Sequence, residues 1–208
     1  MINDAIVLDL DDTLIDTSRR HFNVISDYLK FYYIDFFSFG EYLSLRKNNR
    51  LSNQQIIVKY FSSVANEFGK WWANSIEKEE FLRHDRQIVD TSLLIELVEK
   101  KRSPLILLSL RSNLETAEEQ FKSFSFSGYF TQIYFLPHNS VNPKIEVLSF
   151  LKKKYNRLLF IGDSESDAEA ARQSLVDFYG VMTGFYPLSV HSKFSDINQI
   201  LKNILNEY

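Results

Sequence analysis

The chain has 208 residues, of which 45% are hydrophobic, and its 24 Lys and Arg against 27 Asp and Glu give a formal net charge of −3. This length can hold one full core and a small second unit, and the acidic balance argues against a nucleic-acid partner. The absence of cysteine excludes a disulfide scaffold and thiol chemistry. No basic region precedes the first apolar run and no run approaches the roughly 18 residues of a membrane span, so we expect a cytoplasmic protein without a membrane partner.

The first predicted element lies within residues 5–15, AIVLDLDDTLI. The consecutive apolar residues 6–8 predict a strand that is buried on both faces, as in the middle of a parallel sheet. Ligands bind at the carboxyl ends of such strands, and this end carries Asp9, Asp11 and Thr13. Two carboxylates this close repel each other unless a cation lies between them, and their hard oxygen atoms suit Mg²⁺. The stretch therefore predicts a metal-assisted site, although an Asp cluster after a strand is also typical of a simple turn.

The following region, residues 16–90, carries no strand of the core type and has a helical pattern. The predicted helices begin at Thr17 or Ser18, near Ser38, at Ser52 and near Trp71. The second and third begin with a capping-box pattern, a serine followed three residues later by Glu or Gln. We expect the third helix to reach Phe68 and the fourth to reach Phe81, with Gly40 and Gly69 as breaks. The region is interpreted as an inserted helical bundle.

From residue 91 onward, predicted strands and helices alternate. The strands are residues 105–108, 132–136, 158–161 and 178–182, and the helices are residues 91–102, 113–124, 143–155, 165–174 and 197–205. This alternation with short connections predicts an α/β fold, a doubly wound parallel sheet with right-handed crossovers. We therefore expect a core domain made of residues 1–15 and 91–208, interrupted by a helical domain of residues 16–90.

A second acidic cluster follows the strand in residues 158–167, LLFIGDSESD. Gly162 ends the apolar run, and Asp163 and Asp167 come after it; a glycine at this point lets the backbone approach a ligand closely. On average composition, each cluster arises by accident in roughly a few per cent of chains this long, and the two together in about one in a thousand. Their coincidence favours a functional site over two unrelated turns.

With these clusters the chain resembles the haloacid dehalogenase (HAD) superfamily of phosphohydrolases, in particular its phosphoglycolate phosphatase-like subgroup with a helical C1 cap. The family's four motifs correspond in order to Asp9, Asp11 and Thr13; to Ser109 at the end of an apolar strand; to Lys144 near a helix start; and to Gly162, Asp163 and Asp167. One departure is the proline beside the lysine, which commonly follows it in relatives, whereas Pro143 precedes it here. Residues 16–90 resemble the cap, which in the family closes over the site and contacts substrate.

The resemblance implies a role for each acidic residue. Asp9 would be the nucleophile that forms an aspartyl-phosphate, and Asp11 would be the general acid and base. Asp163 would bind Mg²⁺ together with Asp9 and the backbone carbonyl of Asp11. Asp167 would orient the metal ligands from outside the coordination sphere.

The remaining motif residues would act on the phosphate and on the backbone. By the same resemblance, Ser109 and Lys144 would bind the phosphoryl oxygens, with the lysine also offsetting repulsion between the carboxylates. Thr13 would order the turn that follows the first strand, and Gly162 would allow close approach of the backbone.

The resemblance therefore implies a Mg²⁺-dependent phosphatase that acts on a small phosphorylated metabolite. Dehalogenation is the nearest rival, but relatives that dehalogenate generally lack the second aspartate of the first motif, which is present here as Asp11. A phosphosugar mutase or another phosphotransferase would use the same residues with a different phosphoryl acceptor. A catalytically retired binding protein is the alternative from another class. The sequence leaves the particular ester and the oligomeric state open.

Overall fold

The computed structural model of the chain describes residues 4–138, 142–190 and 193–206. The chain divides into two compact units, one made of Met1–Asp16 with Gln87–Tyr208 and the other of Thr17–Arg86. None of the described helices combines the length and the hydropathy that a membrane crossing requires.

The larger unit is built on a parallel sheet. In chain order, the strands are β1 (Asp4–Leu8), β2 (Ile15–Asp16), β3 (Arg86–Gln87), β4 (Leu105–Leu110), β5 (Phe130–Leu136), β6 (Arg157–Gly162), β7 (Asp177–Val181) and β8 (Lys193–Phe194). Six of them form one sheet in the order β5-β4-β1-β6-β7-β8, and every neighbouring pair is parallel. Strands β2 and β3 form a separate two-stranded sheet. The predicted α/β fold with a doubly wound parallel sheet is confirmed.

Helices connect the strands of this sheet and also make up the second unit. They are α1 (Ser18–Phe31), α2 (Phe39–Lys47), α3 (Asn53–Tyr60), α4 (Ala65–Ser75), α5 (Glu79–Leu82), α6 (Thr91–Glu96), α7 (Leu114–Ser123), α8 (Lys144–Lys154), α9 (Glu165–Gln173) and α10 (Ile197–Asn206). Helix α6 continues as a π-helical segment, Leu97–Lys101. The strand β8, only two residues long, is the one member of the large sheet that the sequence pattern did not predict.

The central strand β1 is buried on both faces, as its apolar run predicts. Successive side chains of a strand point to opposite faces, so Ile6 and Leu8 join one hydrophobic cluster while Ala5 and Val7 join the other. Helices α6, α7 and α10 supply side chains to the first cluster, and α8 and α9 to the second. Full burial of each large aliphatic side chain stabilises the fold by roughly 1.5–3 kcal/mol. The two clusters fix the sheet, and with it the position of the carboxyl ends of its strands.

The second unit, Thr17–Arg86, is helical, and its helix boundaries correct two predictions. The third predicted helix does not reach Phe68, because α3 ends at Tyr60 and Phe61 leaves the helical conformation with φ −138° and ψ 44°. The fourth does not run from Trp71 to Phe81, because Trp71 lies inside α4 and Phe81 belongs to the separate α5. The apolar stripe continues across the break because α3 and α4 pack on one hydrophobic cluster, so periodicity alone could not locate it.

In this unit the capping-box signals predicted the helix starts correctly, whereas the glycines did not mark helix breaks. The capping boxes that begin with Ser38 and Ser52 are both present, and they start α2 and α3 as predicted. The expectation that Gly40 and Gly69 break helices is wrong, because they lie inside α2 and α4. A helical glycine costs only about 1 kcal/mol relative to alanine, which the packing of a neighbour such as the buried Phe68 can offset.

Candidate active site

The predicted site residues of the first, second and fourth motifs lie at the carboxyl ends of neighbouring strands of the sheet. Leu8, the last residue of β1, pairs with Leu107 of β4 on one side and with Ile161 of β6 on the other. Asp9 follows directly, and its backbone N–H donates to the Ile161 carbonyl over 2.9 Å. Ser109 comes two residues after Leu107 and is buried at the end of β4. The parallel register therefore brings these groups to the carboxyl ends of three adjacent strands, where open α/β sheets bind ligands.

Lys144 joins the two acidic clusters. It is the first residue of α8, directly after Pro143 at the N-cap position, and its side chain is almost entirely buried. Its Nζ donates to Asp9 Oδ1 and to Asp167 Oδ1, each over 2.6 Å. Burial lowers the pKa of Lys144, but Asp167 and Asp9 outweigh it and raise this pKa above its ordinary value. The lysine is therefore a buried cation between two carboxylates, with its proline on the N-terminal side.

Three carboxylates form a compact group that fits a divalent cation. Asp9, Asp163 and Asp167 each offer an oxygen atom within 4.8 Å of the others. Burial raises the pKa of Asp9 to about 7 against the opposing charge of Lys144. Burial and the neighbouring carboxylates likewise raise the pKa of Asp163 well above its ordinary value. A cation among these hard oxygen ligands would offset both effects, and the donor set therefore suits Mg²⁺.

The hydrogen bonds separate the roles within this acidic group. Asp167 has both oxygens engaged, Oδ1 by Lys144 Nζ and Oδ2 by the Ser164 hydroxyl, each over 2.6 Å. Ser164 and Asp167 also form the capping box that starts α9, which fixes this carboxylate further. Asp9 and Asp163 are therefore the better direct ligands, and Asp167 is suited to orienting them. Gly162 makes this packing possible, because a Cβ on it would lie 2.7 Å from Asp167 Oδ2.

Asp11 is not a member of this group of three carboxylates, and its own carboxylate is paired with Arg111. The guanidinium donates through Nη1 to Asp11 Oδ2 and through Nη2 to Asp11 Oδ1. The Arg111 side chain is 3% exposed and that of Asp11 is 30% exposed, so the arginine is the buried partner. The predicted metal role of Asp11 concerns its backbone carbonyl and stays a prediction.

Thr13 occupies the turn after β1. Its side chain is buried, and its backbone N–H donates to the Leu10 carbonyl over 3.3 Å. Within the part of the chain that the structure describes, the Thr13 hydroxyl has no hydrogen-bond partner. The backbone hydrogen bond belongs to the turn, and the predicted role of Thr13 in ordering it stays a prediction.

A family model described as haloacid dehalogenase-like hydrolase matches residues 6–181 of the chain, which include every predicted site residue. The chain belongs to this family. The predicted membership of the HAD superfamily, a family of hydrolases, is confirmed. No curated protein matches the chain.

Solved structures of other proteins share the fold over nearly the whole chain. One is a HAD-superfamily hydrolase of subfamily IA, variant 1, from Geobacter sulfurreducens, with a TM-score of 0.71, 17% identity, and 98% of this chain and 97% of that chain covered. Another, described as a predicted phosphatase from Clostridium acetobutylicum, has a TM-score of 0.67, 15% identity and 99% of both chains covered. A predicted phosphoglycolate phosphatase from Haemophilus somnus has a TM-score of 0.66, 18% identity, and 98% of this chain and 99% of that chain covered. At these identities the likeness shows the fold.

Sequence reasoning missed four contributors to this HAD site, the first being Ser164, whose hydroxyl donates to Asp167. Arg111 follows the second motif by two residues, and its charge at the end of an apolar strand was an available signal. Thr183, after β7, donates its hydroxyl to the backbone carbonyl of Asp12, a residue that has a left-handed φ of 54°. The next residue, Gly184, packs so closely that a Cβ on it would lie 3.0 Å from Asp163 Cγ. The loop after β7 therefore supports both acidic clusters, although no acidic residue or motif marks it in the sequence.

Proposed function

We propose that this HAD-family hydrolase is a Mg²⁺-dependent phosphatase that cleaves a small phosphorylated metabolite through an aspartyl-phosphate on Asp9. The observation that carries the proposal is the buried contact of Lys144 with Asp9 and Asp167, beside Asp163. An anionic nucleophile can approach an anionic phosphate only where positive charge offsets their repulsion. Lys144 supplies one such charge. Two relatives of the same fold are described as predicted phosphatases, which agrees with this reaction.

The proposed reaction has two steps. In the first, Asp9 attacks phosphorus, the bond to the ester oxygen breaks, and Asp11 gives the leaving oxygen a proton. In the second, Asp11 takes a proton from water as that water attacks phosphorus, which releases phosphate and restores Asp9. Ser109 and Lys144 bind the phosphoryl oxygens throughout. Mg²⁺ held by Asp9 and Asp163 would offset the charge that develops on those oxygens.

In this proposal the buried Lys144 keeps Asp9 ionised. The pKa of Asp9 is raised to about 7 by burial, and a protonated carboxyl is a poor nucleophile. Lys144 is the largest influence that lowers this pKa, and a bound cation would act in the same direction. The ionised form of Asp9 therefore depends on both.

The test measures hydrolysis of an aryl phosphate by purified protein, with Mg²⁺ and with EDTA. We expect turnover with Mg²⁺ in the wild type and none in Asp9→Asn, because an amide is no nucleophile and a weaker metal ligand. A matched control is Asp177→Asn. Asp177 is an exposed aspartate at the first position of β7, so it lies at the amino end of its strand, opposite the carboxyl ends that carry the site. Wild-type turnover by a folded Asp9→Asn protein, with contamination excluded, would show that the assigned mechanism is wrong.

We also propose that the unit Thr17–Arg86 is a C1-type cap that determines which phosphate ester is accepted. The proposal is supported by its helical content, by its own hydrophobic cluster and by its insertion directly after the first motif. All predicted catalytic and metal residues belong to the other unit. Replacing Thr17–Arg86 by a short linker should leave slow hydrolysis of an aryl phosphate and flatten the preference among natural esters. Full discrimination by a folded protein without this unit would contradict the proposal.

The cytoplasmic location stays a prediction.

A further inference from the structure

The ion pair between Arg111 and Asp11 fixes a carboxylate at two points. Each Asp11 oxygen accepts from a different terminal nitrogen of the guanidinium. This side-by-side arrangement restricts the rotation of the carboxylate as well as its distance, which a single-point contact with lysine would not do. The pair therefore selects one orientation of Asp11.

Arg111 is itself held by the elements around it. Its backbone N–H donates to the Leu136 carbonyl at the end of β5 over 2.7 Å. Its Nη2 lies 3.4 Å from Oε1 of Gln120, a buried residue of α7. Asp11, by contrast, lies in the turn after β1 and is ten times more exposed, 30% against 3%. The arginine is therefore the fixed member of the pair and sets the orientation of Asp11.

We propose that Arg111 is the positioning residue for Asp11 and holds its carboxylate in the orientation from which the proton transfers of the reaction take place. This inference rests on the proposed phosphatase function. Both terminal nitrogens of Arg111 donate to Asp11, so the contacts in the structure direct its contribution to Asp11. Removing it should harm the steps that need the acid and base and should spare the binding of phosphate.

Leaving groups of different basicity reveal such a role. An alkyl phosphate expels a basic alkoxide that needs a proton, whereas a nitrophenyl phosphate expels a stable phenolate that hardly needs one. General acid–base catalysis contributes about 10²- to 10⁴-fold, so we expect Arg111→Gln to lower the single-turnover rate of the first step for an alkyl phosphate by about 100-fold. The fall in this rate for nitrophenyl phosphate should be several times smaller, and the dissociation constants of both esters should stay nearly constant. The second step is common to both esters, so the comparison is made on the first step.

Two further variants separate positioning from charge. In an Asp11→Asn background, Arg111→Gln should add little further loss, because the group that it positions is already gone. Arg111→Lys keeps the charge without the two-point contact and should recover only a small part of kcat. If Arg111→Gln does not fold, the comparison of leaving groups is made on Arg111→Lys, for which the same pattern is required.

The matched control is Arg172→Gln, which removes a similar two-point pair with Glu169 on the exposed surface of α9 and should leave kcat unchanged. Equal losses for both leaving groups in the rate of the first step, a loss that is mainly in the affinity for the ester, additive losses in the double variant or full recovery by lysine would each overturn the positioning role. Failure of the proposed function itself has a different result, namely that wild-type protein hydrolyses neither ester with Mg²⁺.

Discussion

Replacing Lys144 by methionine removes a buried cation from between two carboxylates while keeping a long unbranched side chain. Asp9 Oδ1 and Asp167 Oδ1 each lie 2.6 Å from Nζ. At an effective dielectric constant of about 20, each contact corresponds to roughly 6 kcal/mol of Coulomb energy. Desolvation of the charges offsets much of this, and breaking a buried pair by removing one partner costs about 3–5 kcal/mol. We expect Lys144→Met to lose about this much unfolding free energy at pH 8 in EDTA.

The loss should depend on pH in a defined direction. Burial raises the pKa of Asp9 to about 7 in the folded protein, against an ordinary value of 3.8. Between these values the folded state binds more protons than the unfolded state, so stability falls as the pH rises through this window, by about 4 kcal/mol in total. Lys144 lowers the pKa of Asp9, so its removal raises that pKa further and extends the fall above pH 7. Lys144→Met should therefore lose less stability at pH 5 than at pH 8.

The assay is urea unfolding in EDTA at both pH values. The matched control is Lys153→Met, which changes an exposed lysine of the same helix α8 and should shift stability little. Adding Mg²⁺ at pH 8 should restore part of the loss in Lys144→Met, since a cation can occupy the same acidic group. A loss no larger than that of Lys153→Met, or one that is equal at pH 5 and pH 8, would refute this account of the buried charges.

Two further predictions concern the acidic group. Gly184→Ala should push the Asp163 carboxylate aside and raise the Mg²⁺ concentration needed for half-maximal activity by about 10- to 100-fold, whereas Gly128→Ala, where a Cβ meets nothing within 4 Å, should not change it. An unchanged Mg²⁺ requirement in Gly184→Ala would show that the loop after β7 does not contribute to the metal site. Mg²⁺ at 100 times its dissociation constant should stabilise the wild type by about 2.7 kcal/mol in thermal unfolding and Asp163→Asn far less. Equal stabilisation of both proteins would place the cation elsewhere.

The fold was predictable because its signals are local and strong. A short run such as residues 6–8 of β1 specifies a strand buried on both faces, and the alternation of such runs with helices allows few topologies. Carboxyl ends of parallel strands share an edge, so two acidic clusters far apart in sequence could be placed together. The helices of the second unit were harder to divide, because α3 and α4 bury residues on one cluster and the break at Phe61 leaves the apolar periodicity intact.

The sequence predicts the site residues whose own functional groups take part in the chemistry. It predicts less well the residues that act by contacting another residue of the site. Asp9 and Lys144 could be chosen by residue type and motif, and the structure places them 2.6 Å apart. The pairing of Arg111 with Asp11 depends on three-dimensional placement, since 99 residues separate the two in the sequence. Gly184 matters because it has no Cβ, which would clash with Asp163. The sequence does not show which residue packs against a glycine in a loop.

The central claim, that Asp9 becomes phosphorylated, can be tested by trapping the intermediate. Borohydride reduces an aspartyl phosphate to homoserine, and peptide mass spectrometry locates the change. The account predicts homoserine at position 9 when wild-type protein turns over a phosphate ester with Mg²⁺, more of it in Asp11→Asn, where release is slow, and none when the ester is omitted. Steady turnover with no modification at Asp9 under the same quench, or modification at another carboxylate, would contradict it.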